Sequence, residues 1–389
     1  MTQPLDVVIV GGGLVGLSLA RALARDGLSI AIVEPQLPPD IPDGDRWDSR
    51  VYSISPGCAD FLARCGAWGR LPAERVARIE AMRVFGDDPA ARLEFSAYET
   101  GLRELAFVVE NRRLHRALWE GLSDAGVTVH CPARWEALEL RSDHAAVRLE
   151  DGTEIPARLV VGADGAESRV RAEAGIAVTP LDYGQIGVVA NFACERPHQG
   201  AAFQWFRRDG VLALLPLPGD LVSMVWSIDQ ARGQELLALP AADLGAAVED
   251  ASHGLVGALR QVSPAAGFPL RLQRVAQFTR PRVALVGDAA HNVHPLAGQG
   301  VNLGFRDARE LATVLAARGP QRDCGDPALL RRYERARRED VTTMQMTTDG
   351  LQKLFGSEAV WLVRARNFGL DLVNRQPLLK RYLVRHAIA

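Results

Sequence analysis

The sequence lacks an excess of charge of either sign: 45 Lys and Arg against 47 Asp and Glu leave a formal net charge of −2. Binding along a phosphate backbone needs a basic surface, so nucleic acid is excluded as the main partner. Cysteine is scarce. The five residues (Cys58, Cys65, Cys131, Cys194 and Cys324) are odd in number, scattered, and contain no C-x-x-C pair. That pattern argues against a disulfide framework or a zinc site and fits reduced thiols in a cytoplasmic protein. Long apolar runs are missing too. The longest, Val7 to Ala20, carries four glycines, follows no basic segment and stops at Arg21, so it reads as neither signal peptide nor membrane span. There are no internal repeats or low-complexity tracts. What is present is an ordinary globular composition, 48% hydrophobic and 24% charged, over 389 residues. That length supports one large domain or two intergrown ones with a sizeable core.

The opening reads strand, glycine turn, helix, strand. Asp6 to Val10 is a β-branched run suited to a strand buried on both faces, and Leu14 to Asp26 is rich in Ala and Leu. Gly27 ends that helix, and Leu28 to Val33 forms the second strand of a βαβ unit. From Ala81 to Ala106 the segments become short and alternating, and Asn111 to Ala125 returns to a helical pattern through Leu114, Leu118 and Leu122. Arg158–Gly162 and Val283–Gly287 are further buried strands. Between them, Ile186–Phe192, Ala202–Phe206, Val211–Pro216 and Leu221–Ile228 stand between Gly, Pro and Asp turns and predict an antiparallel sheet. A helix follows from about Gly304 to Ala317, and the chain beyond Pro327 is mostly helical.

The expected fold class is α/β: a Rossmann-type nucleotide-binding domain, an inserted antiparallel β-sheet substrate domain and a helical C-terminal tail. The expected boundaries are 1–80, 107–178 and 276–326 for the discontinuous first domain, 81–106 and 179–275 for the β-rich one, and 327–389 for the tail.

Gly11-Gly-Gly13-Leu-Val-Gly16 matches G-x-G-x-x-G between a strand and a helix. Such glycines permit a tight turn and close approach of backbone to a pyrophosphate, which the helix N-terminus attracts. Glu34 ends the second strand 18 residues beyond Gly16, where a carboxylate accepts ribose hydroxyls. This motif by itself does not separate FAD from NAD. A second segment runs from Val160 through Asp164-Gly165 to Arg171, and a third from Val286 through Gly287-Asp288 to Pro295-Leu-Ala-Gly298-Gln299-Gly300-Val301-Asn302. In the third, a strand delivers Asp288 to its carboxyl end, Pro295 stiffens the loop, and Gly298-Gln299-Gly300 turns backbone N–H groups toward a ligand at a helix start.

With these three segments in order, the chain resembles the group A FAD-dependent aromatic hydroxylases, which share the p-hydroxybenzoate hydroxylase fold. The resemblance implies FAD as cofactor, NAD(P)H as reductant and O2 as co-substrate. It assigns Asp288 to the FAD ribityl chain, Pro295 to the side of the isoalloxazine, and the Gly298-Gln299-Gly300 amides to negative charge on the reduced flavin. Asp164 would serve both FAD and the pyridine nucleotide. Arg50, in Asp48-Ser-Arg50-Val-Tyr-Ser-Ile-Ser55, matches an arginine that approaches the flavin. Asn111 and Arg112 open a helix that in relatives touches the FAD phosphates, although Arg112 reads equally well as a solvated surface residue. His291 and His294 have no third ligand at suitable spacing and are not expected to hold a metal.

Further matches, among them Val108 to Arg112, Tyr183-Gly-Gln185, Leu212 to Leu217 and Thr348 to Phe355, make the chain similar to the ubiquinone-biosynthesis hydroxylases over nearly its whole length. This narrower resemblance implies hydroxylation of a polyprenylphenol through a flavin C4a-hydroperoxide. His294 to Phe305 and Asp209 to Ala213 favour attack at ring C5, whereas Val211, where many members have proline, departs from the pattern. Phe203, Trp205, Leu212, Leu214, Pro216 and Trp226 are either walls of the substrate chamber or plain core. From Trp361 to Ala389 there are six Lys or Arg and one acidic residue, Asp371. Such a helix either lies on an anionic membrane or packs on the domain with a solvated basic face. The expected location is the cytoplasm, with a peripheral place at the inner membrane or in a biosynthetic complex as its extension. Two rival readings stay open: a flavin hydroxylase of another small aromatic, and a non-catalytic flavoprotein scaffold.

Overall fold

Runs of Val, Ile and Leu without alternating polar positions build the first layer, because strands covered on both faces have no side to give to water. The computed structural model describes residues 3–41, 44, 46–86, 92–292, 299–319 and 321–355. The chain begins with β1 (Leu5–Val10), α1 (Leu14–Arg25), β2 (Ile30–Val33), β3 (Val51–Ile54), α2 (Pro56–Arg64) and β4 (Ala77–Ile79). Next come β5 (Ala81–Phe85), β6 (Arg92–Ser96), α3 (Ala97–Thr100), β7 (Ala106–Glu110) and α4 (Asn111–Trp119). Then follow β8 (Thr128–His130), β9 (Trp135–Leu140), β10 (Ala145–Leu149), β11 (Glu154–Gly162) and α5 (Arg169–Glu173). The insert holds β12 (Val178–Cys194), β13 (Ala201–Arg207), β14 (Gly210–Leu217), β15 (Leu221–Asp229), α6 (Gln230–Ala238) and α7 (Ala241–Ala251). The chain closes with β16 (Leu259–Gln261), β17 (Ala266–Val275), β18 (Thr279–Arg280), β19 (Val283–Leu285), α8 (Gly300–Ala316) and α9 (Pro327–Phe355).

The first sheet runs β18-β19-β11-β1-β2-β8, with the β9–β10 hairpin added antiparallel on β11. The pairs β1–β11, β1–β2, β11–β19 and β2–β8 are parallel, so β1, β11 and β19 end at one edge. Helix α1 packs on this sheet and α8 packs against α1, and their residues share one large apolar core with the sheet. The second sheet runs β16-β12-β15-β14-β13-β5-β6, with β17 also on β12. A small sheet, β3-β7-β4, lies beside them.

The second sheet corrects the expectation in one respect: it is not wholly antiparallel, because β5 joins β13 in parallel. Two helices in the insert, α6 and α7, were not anticipated. Gly233 explains how α6 lies close on the sheet, since a Cβ there would sit 2.0 Å from the Ile186 side chain. The helix expected over 111–125 stops at Trp119. Arg21 Nη1 donates to the carbonyl oxygens of Ala117 and Leu118 at 3.3 and 3.2 Å, taking the bonds that a further turn would have used. The helix expected from Gly304 begins one turn earlier, at Gly300.

Candidate active site

Three turns at the carboxyl ends of β1, β11 and β19 border one cavity of about 1040 Å3. That is the position where open α/β sheets take ligands, and the volume is at the upper end for small-molecule and cofactor sites. From the first turn come Gly13, Leu14 and Val15, from the second Ala163, Gly165 and Ala166, and from the third Gly287 and Asp288.

The glycines differ in what they do. Gly11 has φ +112°, and a Cβ on it would lie 2.3 Å from the Ala163 carbonyl oxygen, so the first two turns touch through bare backbone. At Gly16 a Cβ would lie 2.2 Å from the Gly11 oxygen. Gly13 has open space beside it and precedes α1 without a side-chain cap, leaving helix N–H groups free toward the cavity. Glu34 does not line the cavity. Its carboxylate accepts from the Gly12 and Gln36 N–H groups at 2.5 and 3.0 Å, bracing the glycine turn from behind.

Arg50 enters the cavity with its guanidinium carbon 5.3 Å from the Tyr52 ring centroid and 5.0 Å from that of Phe268. Asn111 also lines the cavity, whereas Arg112 does not. The Arg112 N–H donates to Asp48 at 3.0 Å and its guanidinium to the Asp40 carbonyl at 3.0 Å. Asp48 in turn accepts from the Arg50 N–H at 3.1 Å. This buried aspartate ties the cavity-facing arginine to the start of α4. Asp164 stands behind its turn and accepts from the Val170 N–H at 3.1 Å, while its Oδ1 is buried without a partner.

Asp288 is exposed to the open cavity, and desolvation by the walls of that cavity pushes its carboxyl above the usual 3.8 against the pull of His291 and Arg50. The turn that carries it is held from below. Asp307, fully buried on α8, accepts from the Gly287 N–H at 2.9 Å, from His291 Nε2 at 2.6 Å and from Arg337 Nε at 2.7 Å. Burial works to raise the Asp307 carboxyl, but His291 and Arg337 together take it below the ordinary carboxylate range. His291 is thereby a structural partner of Asp307, while His294, Pro295 and Gly298 lie outside the described residues.

Gln299, Gly300 and Val301 line the cavity at the start of α8, which has no side-chain cap, and the Gln299 Oε1 is buried without a partner. Asn302 turns away: its Oδ1 accepts from the Ser55 N–H at 3.0 Å and its Nδ2 donates to the Ser53 carbonyl at 2.8 Å, joining α8 to β3. Among residues not singled out from the sequence, Tyr52 and His115 line the cavity. Tyr52 follows Arg50 at strand spacing, and His115 follows Asn111 by one helical turn, so each was reachable from a flagged neighbour. Burial lowers the His115 pKa, and its Nε2 bonds the Gly12 carbonyl at 2.8 Å.

The opposite wall is one face of the second sheet, with Ala202, Gln204, Val211, Ala213, Val225 and Ser227 turned inward. Phe203, Trp205, Leu212, Leu214 and Trp226 point to the other side, where they form a core with Leu236, Leu244 and Val248 of α6 and α7. Pro216 does not line the cavity either. These six residues are core rather than chamber wall.

The residues present fit FAD: two uncapped helix starts, a carboxylate on a strand end and unpartnered polar atoms share one cavity with an apolar wall. A family model described as "FAD binding domain" matches residues 4–348. The ubiquinone hydroxylase UbiL of Rhodospirillum rubrum is 39% identical over 98% of this chain and 89% of its own length. The 3-demethoxyubiquinol 3-hydroxylase of Escherichia coli is 36% identical over 99% of both chains. Among solved structures, PqsL of P. aeruginosa superposes with a TM-score of 0.78 at 24% identity, over 95% of this chain and 100% of the other, a likeness of fold. The chain therefore belongs to the FAD-binding-domain family, as an FAD-dependent aromatic monooxygenase akin to the ubiquinone hydroxylases.

Proposed function

We propose that the protein hydroxylates the ring of a polyprenylated phenol on the route to ubiquinone, with NAD(P)H as reductant and O2 as co-substrate. The observation that carries this reading is the single cavity that joins the three turns to an apolar sheet face. FAD, when bound, supplies the redox and oxygen-activating chemistry. The chain's own part is to bind, orient and exclude water. Asp288 accepts hydrogen bonds from sugar-alcohol hydroxyls, and the N–H groups at the head of α1 face phosphate. The Gln299–Val301 amides at the head of α8 would face the cofactor and favour negative charge there. Val189, Val211, Ala213, Leu215 and Val225 keep water from the reacting face, where its entry would divert reduced oxygen to H2O2. A membrane surface is where a polyprenyl chain partitions, and the protein works beside it.

The test is NAD(P)H oxidation by flavin-loaded protein, with a tailed phenol and with the same phenol lacking its tail. The tailed phenol is expected to stimulate oxidation, with product rather than H2O2 as the main outcome. Equal response to both phenols removes the polyprenyl assignment. No response to either favours a scaffold. Metabolites accumulating in a deletion strain identify the ring carbon attacked.

A further inference from the structure

Gln204 occupies the centre of the cavity-facing side of the second sheet and is 5% exposed. Its neighbours across the strands are Val84 on β5 and Ala213 on β14. The next strands add Val225 and Val189 in the same row, so the amide interrupts an otherwise apolar line. It has no hydrogen-bond partner among the described residues. Nor is it sealed off, because its polar atoms are absent from the buried orphans of this sheet, Asn191 Oδ1, Ser223 Oγ and Trp226 Nε1. Its amide therefore opens on the cavity.

An amide whose only opening is to an apolar-walled cavity makes no bond within the protein, and a leucine or methionine would suit the apolar row as well. The buried Asn191 on the same sheet has its Nδ2 donating to the Asp48 carbonyl at 2.8 Å, although its Oδ1 has no partner. Gln204 lacks such a bond and faces the space a ligand would occupy. An amide presents an acceptor and two donors side by side. Its complement is a ring carrying a hydroxyl next to an ether or carbonyl oxygen.

We propose that Gln204 is the specificity-determining residue that reads the oxygen substituents of the substrate ring. Its Oε1 accepts from the phenolic hydroxyl, and its Nε2 donates to the adjacent ring oxygen. This rests on the reading of the cavity as an aromatic-substrate site and adds the group that orients the ring within it.

The experiment measures ligand binding through perturbation of the flavin absorbance in FAD-loaded protein. The probes are a methoxyphenol carrying an alkyl tail and the same alkylbenzene without ring oxygens. Wild type is expected to prefer the methoxyphenol by roughly tenfold or more, as one or two net hydrogen bonds imply. Gln204→Met, close in length, should retain FAD and bind both probes alike, and Gln204→Leu should agree with it. A preference that survives in both variants overturns the role of Gln204 while leaving the aromatic site intact. A wild-type protein that binds neither probe overturns the site assignment and this inference with it.

Discussion

The two faces of the second sheet have opposite compositions. Toward α6 and α7 it presents Phe203, Trp205, Leu212, Leu214 and Trp226, all close to fully buried in a packed core. Toward the first domain the intervening positions are Ala202, Gln204, Val211, Ala213, Val225 and Ser227, which leave the cavity. Both faces lie on the same strands in the same register. The chamber is thus opened where Ala202, Ala213, Val225 and Ser227 face it, on strands whose other face is packed with large side chains.

The contrast is sharpest at neighbouring leucines. Leu214→Ala should cost about 2–5 kcal/mol, as core truncations do. Leu215→Ala, facing the cavity, should cost roughly 1 kcal/mol, within the common range for partly buried sites. Chemical denaturation of the two apoproteins measures the gap, and equal losses would erase the distinction between the faces. Filling the chamber tests it from the other side. Ala213→Phe should leave folding and FAD content nearly unchanged while weakening tailed-phenol binding roughly tenfold or more. Loss of FAD instead would mean that this wall supports the cofactor.

Asp288 separates function from stability. Asp288→Ala should largely abolish FAD retention, read from flavin absorbance after gel filtration. Without FAD, the same variant should gain stability at neutral pH. The native carboxyl is raised above 3.8, so ionising it costs the folded state as pH climbs through that raised value. Below 3.8 the gain should vanish, and a thermal-melting series across pH reads the trend. A variant destabilised at neutral pH would contradict the sign.

Much of the first domain was legible because its residues carry positional meaning. Gly11 and Gly16 leave no room for a Cβ, and Asp288 follows a buried strand that fixes where it stands. The second sheet was legible as strands only. Alternation says that Phe203 and Gln204 face opposite ways, but not which of the two directions is the chamber. The α6–α7 pair decides that, and its sequences announce helices weakly. Asn302 shows the complementary case: its place in a glycine-rich segment pointed to the cofactor, whereas its amide is taken up by β3. Glu34 accepts from the Gly12 N–H and the Arg112 N–H donates to Asp48, bonds that no spacing in the sequence announces.

The sequence by itself determined the βαβ unit, the three turns and their order, because glycine sterics, strand burial and helix starts are local properties. Only the tertiary structure decided that those turns share one cavity and which face of the second sheet closes it. It also decided that Asp307, His291 and Arg337 hold the Asp288 turn from beneath. Those outcomes depend on which elements are brought against each other, and contacts between residues so far apart in the chain leave no local signature.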